Sequence, residues 1–234
     1  MTAVVSMIQG DRAYLLVDTA WTADDGRLMA LSPKMIQGTG FPWAIAISGN
    51  LHPSALITEI SRVEPKNARQ LANALPRVLR RTTEKAAEIG QPLSIGLTLA
   101  AWSGKAKRPA IIIVDNDGGH FGAFTQPFEP VEVDWTCGTE PADILGREVS
   151  LSDPASFAPR TDGIALMDGL RRRHAWAWRE GAAVAHRIGG GLQLATITKR
   201  GVTVEDLRDW QDKLGKLIDP LAPNTKPQPC AGSR

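Results

Sequence analysis

Three side chains hold chemistry that could act together: Thr2, Asp18 and Lys34. Removal of Met1 ahead of a small residue would leave Thr2 with a hydroxyl and a free α-amine on one residue. That amine titrates at about pH 8, so a useful fraction is neutral and can take the hydroxyl proton directly or through water. A threonine served by its own amine is one form of the nucleophile–base arrangement. A lysine beside the hydroxyl would lower its pKa and keep the amine unprotonated, and an aspartate would orient the lysine. Singly, each residue has a plainer meaning: a chain end, a turn aspartate, a surface lysine. Only the fold can join them.

The elements that must position them read as strands. Residues 3–8 form an apolar run that would hold the terminus rigid, Gln9-Gly10-Asp11 is a turn, and residues 13–17 form a second run ending at Asp18. A turn at Asp24-Asp25-Gly26 precedes runs at 28–31 and 34–36, the second opened by Lys34 after Pro33. A strand at 43–47 follows. These turns are too short for helical crossovers and predict antiparallel hairpins.

Helices are predicted over 53–61 and over 68–89. The longer one has Asn67 as cap, Leu71, Leu75, Val78 and Leu79 on one face, and Gly90 as its stop. Pro76 should kink or interrupt it. Strands return at 93–102, at 110–114 paired with 121–124 across the turn at 115–119, and at 131–137. Helices are expected at 140–146 and 161–185, a long strand at 192–198, and a charged amphipathic helix at 205–217. The order of strands, helices, strands, helices, strands predicts antiparallel sheets covered by helices. Residues 1–219 are expected to form one domain, with 220–234 a proline-rich disordered tail.

The spacing carries a resemblance. Thr2 and Asp18 are sixteen residues apart, as are Asp18 and Lys34, and Ala44-Ile45-Ala46-Ile47-Ser48-Gly49-Asn50 follows. This register resembles that of proteasome β-subunits and their bacterial relatives among the N-terminal-nucleophile hydrolases. The resemblance extends to about residue 205. It includes Val114-Asp115-Asn116-Asp117-Gly118-Gly119, Cys137-Gly138-Thr139 and Gly189-Gly190-Gly191.

The resemblance implies an α+β fold, a four-layer αββα sandwich of two antiparallel sheets flanked by helices. It implies Thr2, Asp18 and Lys34 as the catalytic set, Ser48 and Gly49 at the oxyanion hole, and Thr22 on substrate backbone. Thr139 would stand in for a supporting serine, and Ala20, Met35 and Ser54 would line the specificity pocket. Two positions depart from the pattern: His186 and Gly189 stand where the family has an aspartate and a serine. His186 would then be a substitute base, a helix cap or a surface residue. The implied activity is cleavage of peptide bonds in peptides or unfolded proteins, without a cofactor, in a homo-oligomer of ring type. A small-molecule amidase and an inactive scaffold or assembly protein are the alternatives.

Composition narrows the rest. Apolar residues at 43% and charged residues at 22% suit a globular protein, and the net charge of +2 points to neither nucleic acid nor membrane. Arg171-Arg172-Arg173 is taken as a solvated helix face. Cys137 and Cys230 suggest free thiols, and His52, His120, His174 and His186 are scattered without metal-ligand spacing. No apolar run approaches a membrane span, no secretory leader is recognisable, and the expected location is cytoplasmic.

Overall fold

The computed structural model describes residues 3–121, 125–173, 175–176 and 183–221, with backbone only for 175–176. Strands β1 (Val4–Gln9) and β2 (Arg12–Asp18) form the first hairpin, with Val4 opposite Val17. Its turn places Gly10 at φ +58, where glycine meets least resistance. β3 (Ala20–Thr22) and β4 (Leu28–Leu31) form a second hairpin between Asp18 and Lys34. β5 (Met35–Gln37) and β6 (Trp43–Gly49) then pair antiparallel.

Helices α1 (Pro53–Ser61) and α2 (Ala68–Glu88) follow. Asn67 caps α2 through its side-chain oxygen, which accepts from the Gln70 amide at 2.9 Å. α2 runs on through Pro76, so the expected interruption there does not occur. Burial of Leu71, Leu75, Val78 and Leu79 outweighs the missing amide.

β7 (Ile95–Ser103) and β8 (Arg108–Asp115) form a long hairpin. Of the segment expected to pair with β8, residues 122–124 lie outside the described residues. β8 pairs on its outer side with β9 (Val131–Val133). The run 131–137 divides: β9 belongs to the second sheet, whereas β10 (Trp135–Thr136) pairs with β1. The two sheets have strand orders β10-β1-β2 continued by β13 (Gly191–Thr198) and β14 (Gly201–Asp209), and β5-β6-β7-β8-β9.

Helix α3 (Pro141–Leu145) is short, and α4 covers Asp162–Arg173. The helix expected to reach residue 185 stops there. β11 (Ala175–Trp176) and β12 (Ala185–His186) pair antiparallel beyond it. The expected helix at 205–217 is likewise absent, because residues 201–209 pair with β13 along its whole length. Their charges lie along the sheet's edge strand, where they discourage further pairing.

Among the described residues, three large apolar clusters join the layers, and a small fourth joins Ala20, Leu28 and Ile218. One joins α1 and α2 to β6, β7 and β8 through residues such as Leu56, Leu71, Leu79, Ile47 and Leu97. A second joins the two sheets to each other, with Leu15 and Ala195 facing Ala46 and Ile111. A third joins α4 to β1, β2 and β13 through Leu166, Met167, Val5 and Leu194. The architecture is thus a mixed α/β arrangement of antiparallel sheets with few helices. No helix among the described residues is long and apolar enough to cross a membrane.

Candidate active site

The site is built where β2 ends. Asp18 is fully buried, and its carboxylate is filled by four donors. Oδ1 accepts the Ala3 amide at 3.0 Å. Oδ2 accepts the Lys34 ammonium at 2.9 Å and the amides of Ala20 at 3.2 Å and Gly189 at 3.3 Å. The β3–β4 hairpin explains the contact with Lys34, since it carries the chain out and back between the two residues. The Lys34 carbonyl in turn accepts the Ile47 amide at 2.9 Å, which fixes it to β6.

Lys34 is buried, and its ammonium lies 5.6 Å from the centre of the Trp21 ring. Burial holds its pKa below the ordinary lysine value, against the opposing charge and hydrogen bond of Asp18. Thr2 lies outside the described residues. Its neighbour Ala3 is tied by its amide to the carboxylate that holds Lys34.

Lys34, Thr22, Gly49 and His120 line one pocket of about 180 Å³. The Thr22 hydroxyl accepts from the Arg187 guanidinium at 3.0 Å. That buried guanidinium also donates to the carbonyls of Ala23, Asp24 and Ala183, bracing the loop after β3. Gly49 has φ +102, and a Cβ there would overlap the Ser94 carbonyl oxygen, so the position requires glycine.

Ser48 sits buried behind Gly49. Its hydroxyl donates to the Gly96 carbonyl at 3.1 Å and lies 3.1 Å from His120 Nδ1. His120 Nε2 is 2.9 Å from Ser94 Oγ, which donates to Asp117 at 2.6 Å. Burial pushes the His120 pKa down, opposed by Asp117 and Asp115.

Of the other pocket positions taken from the resemblance, Ala20 lines this space. Met35 belongs to the apolar layer between the sheets, and exposed Ser54 lies in the first turn of α1, where its amide donates to the capping His52 ring.

Thr139 and His186 are placed elsewhere. Thr139 follows β10, and its amide lies beside the Cys137 thiol, whose pKa burial raises. His186 Nδ1 is 2.9 Å from the Arg171 carbonyl near the end of α4. Gly189 keeps its amide on Asp18, but a Cβ there would come within 2.5 Å of Asp212 and 2.7 Å of Arg171. A serine at that position would therefore have to displace a buried ion pair.

That pair escaped the sequence, and it corrects the solvated-face reading of Arg171. Arg171 is buried and bidentate on Asp212, with both contacts at 2.7 Å. It also donates to the carbonyls of Ile188 and Asp219. Asp212 accepts the Gly190 amide at 2.7 Å. Nothing local marks Arg171 against Arg172 and Arg173, which are exposed. His120 gave more of a signal, since it directly follows the turn at 115–119.

Among the described residues no group of three or more His, Cys, Asp or Glu could hold a metal ion. A larger, open depression of about 610 Å³ beside α2, lined by Glu64, Lys66 and Arg77, contains none of the residues above.

No family model matches the sequence, and no curated protein matches it. Solved structures do match in fold. A mutant of Anbu from Hyphomicrobium sp. strain MC1 is similar at a TM-score of 0.65 and 13% identity, covering 91% of this chain and 90% of that one. Anbu from Yersinia bercovieri, described as an ancestral beta-subunit, is similar at 0.64 and 12%, covering 90% and 88%. A second structure from Hyphomicrobium gives 0.61 and 14%, covering 91% and 89%. At such identities the likeness is one of fold.

Proposed function

We propose that the chain is an N-terminal threonine hydrolase that cleaves peptide bonds, built on the four-layer αββα sandwich of proteasome β-subunits. The observation that carries this reading is the Asp18 carboxylate, which holds the Lys34 ammonium on one oxygen and the Ala3 amide on the other. That anchor ties the start of β1 to the one buried lysine of the pocket.

With Met1 removed, Thr2 Oγ attacks the scissile carbonyl while the Thr2 α-amine takes the hydroxyl proton. The negative charge that develops on the carbonyl oxygen is met by amides at Ser48 and Gly49. The intermediate collapses to an ester on Thr2, and the amine returns the proton to the departing nitrogen. Water, deprotonated by the same amine, then cleaves the ester: the acyl group leaves as an acid, and the amine returns the proton to Thr2 Oγ. Lys34 stabilises the developing charge on Oγ, and Asp18 orients Lys34. Thr22 holds substrate backbone, and neither metal nor organic cofactor enters these steps. Assembly into a homo-oligomeric ring in the cytoplasm would sequester such a site; this rests on likeness of fold alone.

Mass spectrometry tests the reading. The purified protein should lack Met1, and a β-lactone or epoxyketone probe should add its mass at Thr2. Thr2→Ala should remove the labelling while leaving the circular dichroism unchanged; labelling that survives in that variant would overturn the nucleophile.

A second reading, an inactive scaffold or assembly protein, is favoured by the region around Gly189. The side chains that the family places there are missing, and His186 is engaged with Arg171. Retention of Met1 on most molecules would select it.

A further inference from the structure

The hydrogen-bonding inventory of the pocket is lopsided. The two carboxylates tied to its lining residues are both engaged by the protein. Asp18 accepts four donors, and Asp117 accepts the Ser94 hydroxyl on Oδ2 and the Gly119 amide on Oδ1. The donors are not exhausted. Lys34 has three ammonium hydrogens, and Asp18 takes one. Thr22 Oγ1 accepts from Arg187, which leaves its own hydrogen to donate. The Asn50 amide nitrogen donates to the Pro92 carbonyl and has a second hydrogen, while its oxygen is taken by the Ser94 amide. These three residues line the same space. At about 180 Å³ it is too small for a drug-sized ligand and suits a single side chain.

His120 maintains this imbalance. Its ring bridges Ser48 on one nitrogen and Ser94 on the other. With the Ser48 hydrogen turned from the Gly96 carbonyl to Nδ1, an Nε2–H donated to Ser94 Oγ leaves that serine's only hydrogen for Asp117, and so keeps the carboxylate tied to Ser94. Without the imidazole, Ser94 and Asp117 would be free to present acceptors inward.

We infer that the pocket admits a substrate side chain ending in a carboxylate or carboxamide, received by Lys34, Thr22 and Asn50, with His120 as the positioning residue that keeps Ser94 and Asp117 locked together. An aliphatic side chain would leave the buried Lys34 ammonium without a partner, which is costly away from water. A lysine side chain would bring more donors against an ammonium. The inference deepens the proposed function and rests on the assignment of this pocket to the Thr2 site. If Lys34 also donates to Thr2 Oγ, one of its hydrogens remains for the ligand.

The test reads binding rather than turnover, so that it stands apart from the labelling of Thr2. Acetylated tripeptide amides ending in Asp, Gln, Leu or Lys are titrated by calorimetry into the full chain carrying Thr2→Ala. Dissociation constants for the Asp and Gln peptides should be at least about tenfold lower than for the Leu and Lys peptides, which is the value of roughly one good hydrogen bond to a charged group. His120→Phe should shrink that ratio while leaving the Leu peptide's affinity unchanged or improved. His120→Gln, which can still donate to Ser94, should retain most of the ratio. Equal binding of all four peptides, or tighter binding of Leu or Lys, overturns the inference even if Thr2 is labelled normally in the wild type. A ratio that survives in a folded His120→Phe removes His120 from it. Should His120→Phe not fold, the wild-type ranking and His120→Gln decide.

Discussion

Two buried ion pairs hold neighbouring points of the same segment, and they do so in opposite ways. Asp18–Lys34 anchors the Gly189 amide, and Asp212–Arg171 anchors the Gly190 amide. Both pairs are almost wholly withdrawn from solvent, with side-chain exposures of 4% or less. In the second pair both terminal nitrogens of the cation are fully used: the guanidinium has two bonds to Asp212 and one each to Ile188 and Asp219. In the first pair the anion is saturated and the cation is not. Among the described residues Lys34 meets one acceptor, and it opens onto a pocket. A buried pair is weak evidence of stabilisation by itself, because desolvation offsets the attraction. What distinguishes the two is unused hydrogen-bonding capacity, and the pair that keeps some of it faces the pocket.

The sharpest way to break this comparison is to remove each cation. Lys34→Met leaves Asp18 with three backbone donors, so the protein should remain folded. The rate of probe labelling at Thr2 should fall by about 10²–10³-fold, the usual effect of removing one preorganised electrostatic group from a transition state. Unchanged labelling kinetics would show that Lys34 is merely structural.

Arg171→Met should have the reverse profile. It strands a buried carboxylate that keeps a single backbone donor, together with two carbonyls that lose their partner. The expected cost is about 3–5 kcal/mol. At this chain length that corresponds to a fall of about 10 °C in melting temperature, measured by thermal denaturation. Below that transition the labelling rate should stay closer to wild type than that of Lys34→Met. Adding Asp212→Leu should recover part of the stability, because the stranded charge is gone. A double variant less stable than Arg171→Met would mean that Asp212 acts chiefly through Gly190.

The sequence distinguished these regions unequally. The helix α2 was legible because its signals are local: a cap at Asn67 and apolar residues at helical spacing. The approach of Asp18 to Lys34 was legible only through the family's intervals, since nothing in the residues themselves says that a hairpin between them closes. The second half of strand β14 was misread as a helix because its partner, β13, is what decides between the two, and its charged outer face imitates an amphipathic helix. Arg171 was unreadable for a similar reason: its partner is 41 residues away, and its neighbours Arg172 and Arg173 are chemically identical but exposed. The Ser48–His120–Ser94 chain joins three separate stretches, so no single window of sequence contains it. Local periodicity therefore revealed layers, whereas most of the site depends on contacts between distant segments.

A smaller effect separates the two cations by titration. Burial holds the folded-state pKa of Lys34 below the value it regains on unfolding. Between those two values the unfolded chain binds the proton and the native chain has released it, so stability rises with pH across that window. Arginine does not titrate there, and Arg171→Met should keep the slope. Lys34→Met should lose it. Cys137 works in the opposite direction, because burial raises its pKa and its contribution declines as pH rises through the alkaline range. The readout is therefore the difference in denaturation free energy between wild type and Lys34→Met, followed upward from neutral pH, in which the Cys137 contribution cancels. Wild type should gain on the variant as pH rises. If it loses ground instead, Asp18 outweighs burial, Lys34 is held as firmly as Arg171, and the contrast between the two pairs disappears.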